Sequence, residues 1–129
     1  MKKVLVVEDN SDNLRLISYV LRRNGYEVIS AQSGEAGVAL ALKVNPSLIF
    51  ADINLPGIDG VEMTRVLRGI ESCSATPIIA ITSHAMAGDR DRVMAAGCNA
   101  YFEKPINPLT IMDCIHAAIG DGKKNEDPS

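Results

Sequence analysis

Short apolar runs alternate along this chain with longer amphipathic segments, and that alternation restricts the possible folds more than any other feature of the sequence. The runs are four or five residues long and lie at 4–7, 27–31, 47–51, 78–81 and 100–103. Continuous apolar runs of this length are typical of strands that are covered on both faces, as in a parallel sheet. The runs at 27–31 and 100–103 are less apolar, so we place them nearer the sheet edges.

The segments that follow the runs have the apolar periodicity of helices that cover a sheet. Gly25 is expected to end the first helix, and Ser33 to cap a second one that stops at 45–46. Five strand–helix units favour an α/β fold, a doubly wound five-stranded parallel sheet with five helices on both faces. The predicted core positions are Leu16, Ile17, Val20 and Leu21 in the first helix, Val38, Ala41 and Leu42 in the second, Met63, Val66, Leu67 and Ile70 in the third, Val93 and Ala96 in the fourth, and Ile111, Met112, Ile115 and Ile119 in the fifth.

The length and composition are those of one globular domain. The chain has 129 residues, of which 47% are apolar and 22% charged. Residues 1–120 are expected to form the domain, and residues 121–129 a polar flexible tail. The net charge of −3 provides no basic face for nucleic acid. Polar residues or proline interrupt every apolar stretch before it reaches the length of a membrane span, and the run at 4–7 is too short for a signal peptide.

The spacing of cysteine and histidine argues against two kinds of site. Cys73, Cys98 and Cys114 form no CxxC or Cys/His pattern, which favours reduced thiols in a cytosolic protein. Neither His84 nor His116 has a second histidine three or four residues away. A histidine-based metal site is therefore not expected.

Polar residues collect where the predicted strands end. Glu8 and Asp9 follow the first strand, and Asp52 follows the third. Thr82 follows the fourth strand and Lys104 the fifth. In an open parallel sheet these ends share one edge, where ligands bind. Each residue also has a purely structural interpretation, because Asp9 could cap a helix, Asp52 could begin a turn, and Lys104 could be a solvated surface charge.

Three carboxylates at one edge repel one another and need a cation. A hard divalent ion with oxygen ligands fits this need, and Mg²⁺ is the ion we expect. Lys104 would supply further positive charge. Such a pocket suits phosphoryl transfer to a carboxylate, which requires little beyond positioning and charge neutralisation. Aspartate is an established nucleophile in aspartyl-phosphate chemistry, and it is already ionised at about pH 7.

The motifs at these strand ends resemble those of the receiver domains of two-component response regulators, the CheY-like group. They are VVEDN at 6–10, ADINLPGIDG at 51–60, ITS at 81–83 and EKP at 103–105. The resemblance covers about residues 3–119 and implies the (βα)5 flavodoxin-like arrangement of that group. It also implies that Asp52 is the phosphoacceptor, with Mg²⁺ held by Glu8, Asp9, Asp52 and the backbone carbonyl of Asn54. Glu8 stands where the family often has a second aspartate.

The resemblance further implies a conformational switch. Thr82 would turn towards the phosphoryl group while Tyr101 moves inward, although Tyr101 is also consistent with a strand residue that packs beside the fourth helix. Lys104 would bind the phosphoryl group, and the peptide bond between Lys104 and Pro105 would be cis. The fourth helix is predicted to begin at about Met86 and to present residues 89–92 to solvent. Its few large apolar residues suit a moving element.

Leu14 is predicted to lie about a quarter turn from the apolar stripe of the first helix. An exposed leucine there would suit docking of the histidine-bearing helix bundle that donates the phosphoryl group. A flanking core residue is the equally open alternative.

The resemblance implies a single-domain response regulator that accepts a phosphoryl group from a sensor histidine kinase or a histidine phosphotransfer protein. The switch would change binding of a downstream protein target at the surface of helix four, strand five and helix five. The chain would be a cytoplasmic monomer or weak dimer, with no nucleic-acid or membrane partner. It would be no enzyme beyond its own phosphorylation and dephosphorylation. A receiver excised from a hybrid histidine kinase or multidomain regulator, acting as a phosphorelay intermediate, is the alternative.

Three other classes fit the sequence less well. A haloacid-dehalogenase-type phosphatase needs a second aspartate two residues after the nucleophile, where this chain has Asn54. A pseudo-receiver would be expected to lack Asp52 or Lys104. A flavin-binding protein would need aromatic surface, and the chain has only two Phe, three Tyr and no Trp.

Overall fold

The strands and helices alternate in the order that the apolar runs predict. The computed structural model describes residues 2–82, 86–103 and 107–119, with side chains to residue 116 in the last segment. The strands are β1 Lys3–Val7, β2 Glu27–Ala31, β3 Leu48–Asp52, β4 Ile78–Thr82 and β5 Ala100–Glu103. The helices are α1 Ser11–Arg23, α2 Gly34–Val44, α3 Gly60–Arg68, α4 Asp89–Ala96 and α5 Pro108–Ile119, and a 3-10 turn at Glu71–Cys73 follows α3. Within these segments no helix has both the length and the apolar character needed to cross a membrane.

The five described strands form one parallel sheet in the order β2-β1-β3-β4-β5. The chain passes outward from β1 to β2, then returns to β3 and continues outward to β5. β1 and β3 are therefore neighbours at the point where the strand order reverses. In sheets of this topology, ligands bind beyond the carboxyl ends of the strands at that point. The predicted α/β fold is confirmed.

Helices cover both faces of the sheet and enclose two hydrophobic cores. On one face, β1, β3 and β4 pack against α2, α3 and α4. On the other face, the same strands pack against α1 and α5. Alternate strand residues enter opposite cores, as strand geometry requires: Leu5 and Val7 enter the first, Val4 and Val6 the second. Because both faces are covered, the central strands are continuous apolar runs.

Local hydrogen bonds form the predicted helix ends. Gly25 has φ +89° and follows Asn24, the C-cap residue of α1. The amides of Gly25 and Tyr26 donate to carbonyls of the last turn of α1 at 3.1 Å, which closes the helix end. The Ser33 hydroxyl accepts from the Ala36 amide at 3.1 Å and caps α2. Both predicted ends are confirmed.

Three residues predicted to face the core are instead partly exposed. Leu16 is 36% exposed, Leu42 48% and Val66 37%. The neighbour of each on one side, Ile17, Ala41 or Leu67 respectively, is fully buried. Adjacent positions on a helix point about 100° apart, and in these three pairs the exposed member lies at the margin of the buried face.

The boundaries of α3 and α4 also differ from the prediction. Ile70 lies beyond the end of α3, and α4 begins at Asp89 rather than near Met86. Asp89 was predicted to face solvent but is only 7% exposed. Its carboxylate accepts hydrogen bonds from the Met86 amide and the Arg92 guanidinium, each at 2.8 Å. These hydrogen bonds hold the backbone at the start of α4.

Gly60 marks a close approach of α3 to β3. A Cβ at this position would lie 2.6 Å from the carbonyl oxygen of Asp52 and 2.8 Å from Ile53 Cα, and neither backbone atom can rotate away. We expect Gly60→Ala to lower the free energy of unfolding by about 1–3 kcal/mol, measured by urea denaturation. Gly69→Ala is the matched control, because a Cβ there would lie 3.5 Å from its nearest neighbour. The control should stay within about 0.5 kcal/mol of the wild type; equal effects would contradict the close approach.

Candidate functional site

Three carboxylates meet where the strand order reverses. Glu8 and Asp9 follow β1, and Asp52 ends the neighbouring strand β3. One oxygen of each carboxylate lies within 4.8 Å of the others. Glu8 is fully buried and Asp52 is 4% exposed, whereas Asp9 is exposed. The structure thus brings together the three acidic residues that the sequence places at strand ends.

This carboxylate cluster, Glu8 with Asp9 and Asp52, has the chemistry of a divalent-cation site. Anionic groups this close repel one another, and the burial of two of them adds a desolvation cost. Mg²⁺ prefers oxygen ligands and is held by a few carboxylates together with retained water. The Asn54 amide donates to Asp52 Oδ1 at 2.8 Å, which keeps the backbone of Asn54 beside the cluster. The donors present are all oxygens and fit such an ion.

Hydrogen bonds from two sides hold the loop after β3. The Ile53 amide donates to the carbonyl of Ile81 in β4 at 2.9 Å, and the Gly60 amide donates to the carbonyl of Ile53 at 3.2 Å. Further along the loop, the Ile58 amide donates to Glu35 Oε2 at 3.1 Å. Glu35 was not identified from the sequence. Its only sequence signal is an acidic residue in a first helical turn, a pattern that helix starts commonly share.

Thr82 ends β4 on the other side of Asp52. Its side chain is fully buried. Thr82 Oγ1 accepts a hydrogen bond from the Asn54 side-chain amide at 2.8 Å. The predicted switch hydroxyl is thus bonded to the residue that also contacts the Asp52 carboxylate.

Tyr101 lies in β5 and packs against the core beneath α2, α3 and α4. Its hydroxyl oxygen is buried, and within the described segments it has no hydrogen-bond partner. Burial raises the pKa of the Tyr101 phenol, and the carboxylates of Asp89 and Glu103 raise it further. The hydrogen bond from Arg92 holds the pKa of Asp89 below its usual range, with a smaller effect from the Met86 amide. Tyr101 therefore lies near the charged residues Asp89 and Arg92 at the start of α4.

Leu14 was interpreted from the sequence either as an exposed docking residue or as a flanking core residue, and the structure shows features of both. It is half-buried and packs against the core beneath α1 and α5. It also lines an open groove of about 580 Å³ along α1, together with Arg15, Tyr19 and Arg22. Tyr19 is 58% exposed in this groove. The groove thus combines the half-buried apolar side chain of Leu14 with the cationic side chains of Arg15 and Arg22.

Several predicted residues lie outside the part of the chain that the structure describes. These are Lys104, Pro105 and His84. The predicted phosphate-binding lysine and the predicted cis peptide bond therefore stay predictions.

The cysteines are free and buried: Cys73, Cys98 and Cys114. Burial raises the pKa of the Cys98 thiol and raises that of Cys114 to about 12. These two thiols are therefore neutral at ordinary pH and poor nucleophiles.

Comparison with known families identifies the class of protein to which this fold and carboxylate cluster belong. The family described as "Response regulator receiver domain" matches residues 4–116. This chain belongs to the response regulator receiver family of two-component signalling proteins.

Relatives and solved structures support the same family. The chain is 39% identical to the polar-differentiation response regulator DivK of Brucella ovis over 120 residues, 93% of this chain and 98% of that protein. Its fold is similar to that of the chemotaxis response regulator CheY4 of Vibrio cholerae, with a TM-score of 0.86 and 30% identity over 92% of this chain and 98% of that one. It is also similar to the receiver domain of sensor histidine kinase PA1611 from Pseudomonas aeruginosa, with a TM-score of 0.84 and 35% identity at the same coverage. That structure has a magnesium ion coordinated in the active-site cleft.

Proposed function

We propose that this chain is a phosphorylation-controlled protein-binding switch whose phosphoacceptor is Asp52. The observation that carries the proposal is the carboxylate cluster, with oxygens within 4.8 Å of one another beside the buried Thr82. Asp52 ends the third strand at the edge where this topology binds ligands. The bound magnesium of the PA1611 receiver supports the same ion here.

The reaction requires one nucleophile and several groups that neutralise charge. An Asp52 oxygen forms a bond to the phosphorus of a phosphohistidine, the phosphorus–nitrogen bond breaks, and the histidine nitrogen keeps the electron pair. Mg²⁺, when bound by Glu8, Asp9, Asp52 and the Asn54 carbonyl, would neutralise charge on the phosphoryl oxygens. Lys104 would neutralise the other side. Later attack of water on phosphorus releases inorganic phosphate and restores the Asp52 carboxylate.

The new charge on Asp52 would change the protein surface by moving the side chains of Thr82 and Tyr101. The Thr82 hydroxyl would donate to a phosphoryl oxygen, and Tyr101 would move inward beside α4. The altered surface is formed by α4, β5 and α5, and its two states would bind a downstream protein target differently. The domain would comprise residues 1–120 with a tail at 121–129, as a cytoplasmic monomer or weak dimer.

The phosphodonor would be a sensor histidine kinase or a histidine phosphotransfer protein. Its docking site would include Leu14, which lines the groove along α1. A receiver that acts as a phosphorelay intermediate within a hybrid kinase is the second candidate, because the PA1611 receiver is 35% identical. The DivK relatives are 38–39% identical, and the match covers 98% of their length. We therefore favour a stand-alone response regulator.

Intact mass spectrometry after incubation with a small-molecule phosphodonor tests this proposal. With Mg²⁺ the wild-type chain should gain one phosphoryl group, and with a chelator it should gain none, because the carboxylate cluster then repels the donor. The adduct should be released by hydroxylamine, as an acyl phosphate is. Absence of any adduct with Mg²⁺, or an adduct that resists hydroxylamine, would contradict the proposal.

A further inference from the structure

Asn54 makes two hydrogen bonds that connect the phosphoacceptor to the switch. Its backbone amide donates to Asp52 Oδ1 at 2.8 Å. Its side-chain amide donates to Thr82 Oγ1, also at 2.8 Å and across 28 positions of sequence. Asp52 and Thr82 end neighbouring strands, so one residue contacts both of them from the loop above.

The hydrogen bond from the exposed Asn54 side chain restrains the buried hydroxyl of Thr82. Thr82 is fully buried, whereas Asn54 is exposed, so the side-chain amide covers the hydroxyl at the rim of the site. A change in the Thr82 side-chain rotamer has to break or carry along this bond. A neutral hydrogen bond of this geometry changes an equilibrium by roughly two- to tenfold.

We propose that Asn54 is a positioning residue whose side-chain amide holds the Thr82 hydroxyl in the unphosphorylated protein and releases it on phosphorylation. This inference rests on the proposed function, because the release requires a phosphoryl group on Asp52. Phosphoryl oxygens are charged acceptors, and hydrogen bonds to them are about twice as strong as neutral ones. Both the Asn54 amide and the Thr82 hydroxyl therefore gain by exchanging their mutual bond for bonds to the phosphoryl group.

The side chain of Asn54 thus sets how readily Thr82 changes its side-chain rotamer. The backbone carbonyl of Asn54 has a separate proposed role as a metal ligand. Without the amide, the Thr82 rotamer of the switched state becomes easier to reach. We expect the population of that rotamer in the unphosphorylated protein to rise by roughly two- to tenfold.

A double-mutant cycle between Asn54→Ala and Thr82→Val tests the bond in the metal-free, unphosphorylated protein. Urea denaturation of the wild type, both single variants and the double variant should reveal a coupling of roughly two- to tenfold in the folding equilibrium. The NMR signal of the Thr82 methyl group should show one rotamer in the wild type and averaging in Asn54→Ala. Asn10→Ala is the control at the same sheet edge, because the Asn10 side chain bonds to the Asn13 amide of α1. It should leave the Thr82 methyl signal unchanged.

The same measurements with Mg²⁺ and beryllium fluoride, a phosphoryl mimic, test the release. The coupling should disappear when the mimic binds. Additive single variants in the metal-free protein, or an unchanged coupling with the mimic bound, would overturn the inference even if phosphorylation proceeds normally. If the mimic fails to bind while the coupling persists, the proposed function itself is wrong, and the bond is a fixed structural contact rather than a releasable one.

Discussion

An Asp52→Asn variant should take up no detectable phosphoryl group from a small-molecule phosphodonor in the presence of Mg²⁺. Asparagine has nearly the same shape and keeps an oxygen that accepts the Asn54 amide bond. It lacks the anionic nucleophile, however, and it removes one carboxylate from the cluster. The variant should nonetheless be folded. Relief of repulsion among groups within 4.8 Å of one another should raise its free energy of unfolding in metal-free buffer.

The control for this loss is Asp9→Asn. Asp9 is the exposed member of the cluster. This variant keeps the Asp52 carboxylate, the proposed nucleophile, and loses one proposed metal ligand. It should still be labelled, but only at a higher Mg²⁺ concentration. Intact mass and urea denaturation of both variants separate loss of the acceptor from loss of the ion and from unfolding. Labelling of Asp52→Asn equal to that of the wild type would place the acceptor elsewhere.

The fold was predictable because a parallel sheet covered on both faces leaves a strong signal in sequence. β3 and β4 are buried at every position and β1 at its last four, so each contains a continuous apolar run, which in β3 and β4 stops before the final polar residue. The predicted bounds of these strands agree with the observed ones to within one residue. The carboxylate cluster was predictable for a related reason, since strand ends of one parallel sheet share an edge.

The parts that were not predictable depend on contacts that are distant in sequence or on the exact angle around a helix. Leu16 and Ile17 are equally apolar, and the packing of α1 decides which one is buried. The bond between Asn54 and Thr82 spans 28 positions, and the contact of Glu35 with the β3 loop spans 23. Such polar contacts carry no periodicity, so composition and spacing do not indicate them.

Arg68 is the clearest example of such a contact. Its guanidinium donates to the Gly97 carbonyl at 3.0 and 2.8 Å, to the Cys73 carbonyl at 2.9 Å and to the Thr76 carbonyl at 2.7 Å. It also donates to Asn99 Oδ1 at 2.9 Å. The end of α3 is thereby tied to the loop before β4 and to the turn after α4. Burial lowers the pKa of Arg68, but the guanidinium remains protonated.

We expect Arg68→Ala to lower the free energy of unfolding by about 2–4 kcal/mol, because it leaves several partly buried carbonyl groups without their charged donor. Arg65→Ala is the matched control on the same helix. Arg65 is exposed and pairs only with Glu62 at 3.4 Å among the described residues, so its loss should cost less than about 1 kcal/mol. Arg68→Lys should fall between the two, since one ammonium group cannot reach all of these acceptors. Urea denaturation at neutral pH measures all three variants.

The same variants show where α4 is able to move. Arg68 holds the Gly97 carbonyl, so it fixes the C-terminal end of α4, while the entry to α4 depends on the bonds of Asp89. Hydrogen exchange in wild-type α4 should therefore be faster at its first turn than at its last. Arg68→Ala should abolish this difference, whereas Arg65→Ala should preserve it. If the last turn of α4 keeps its protection in Arg68→Ala, the packing of Val93 and Ala96 is what holds that end.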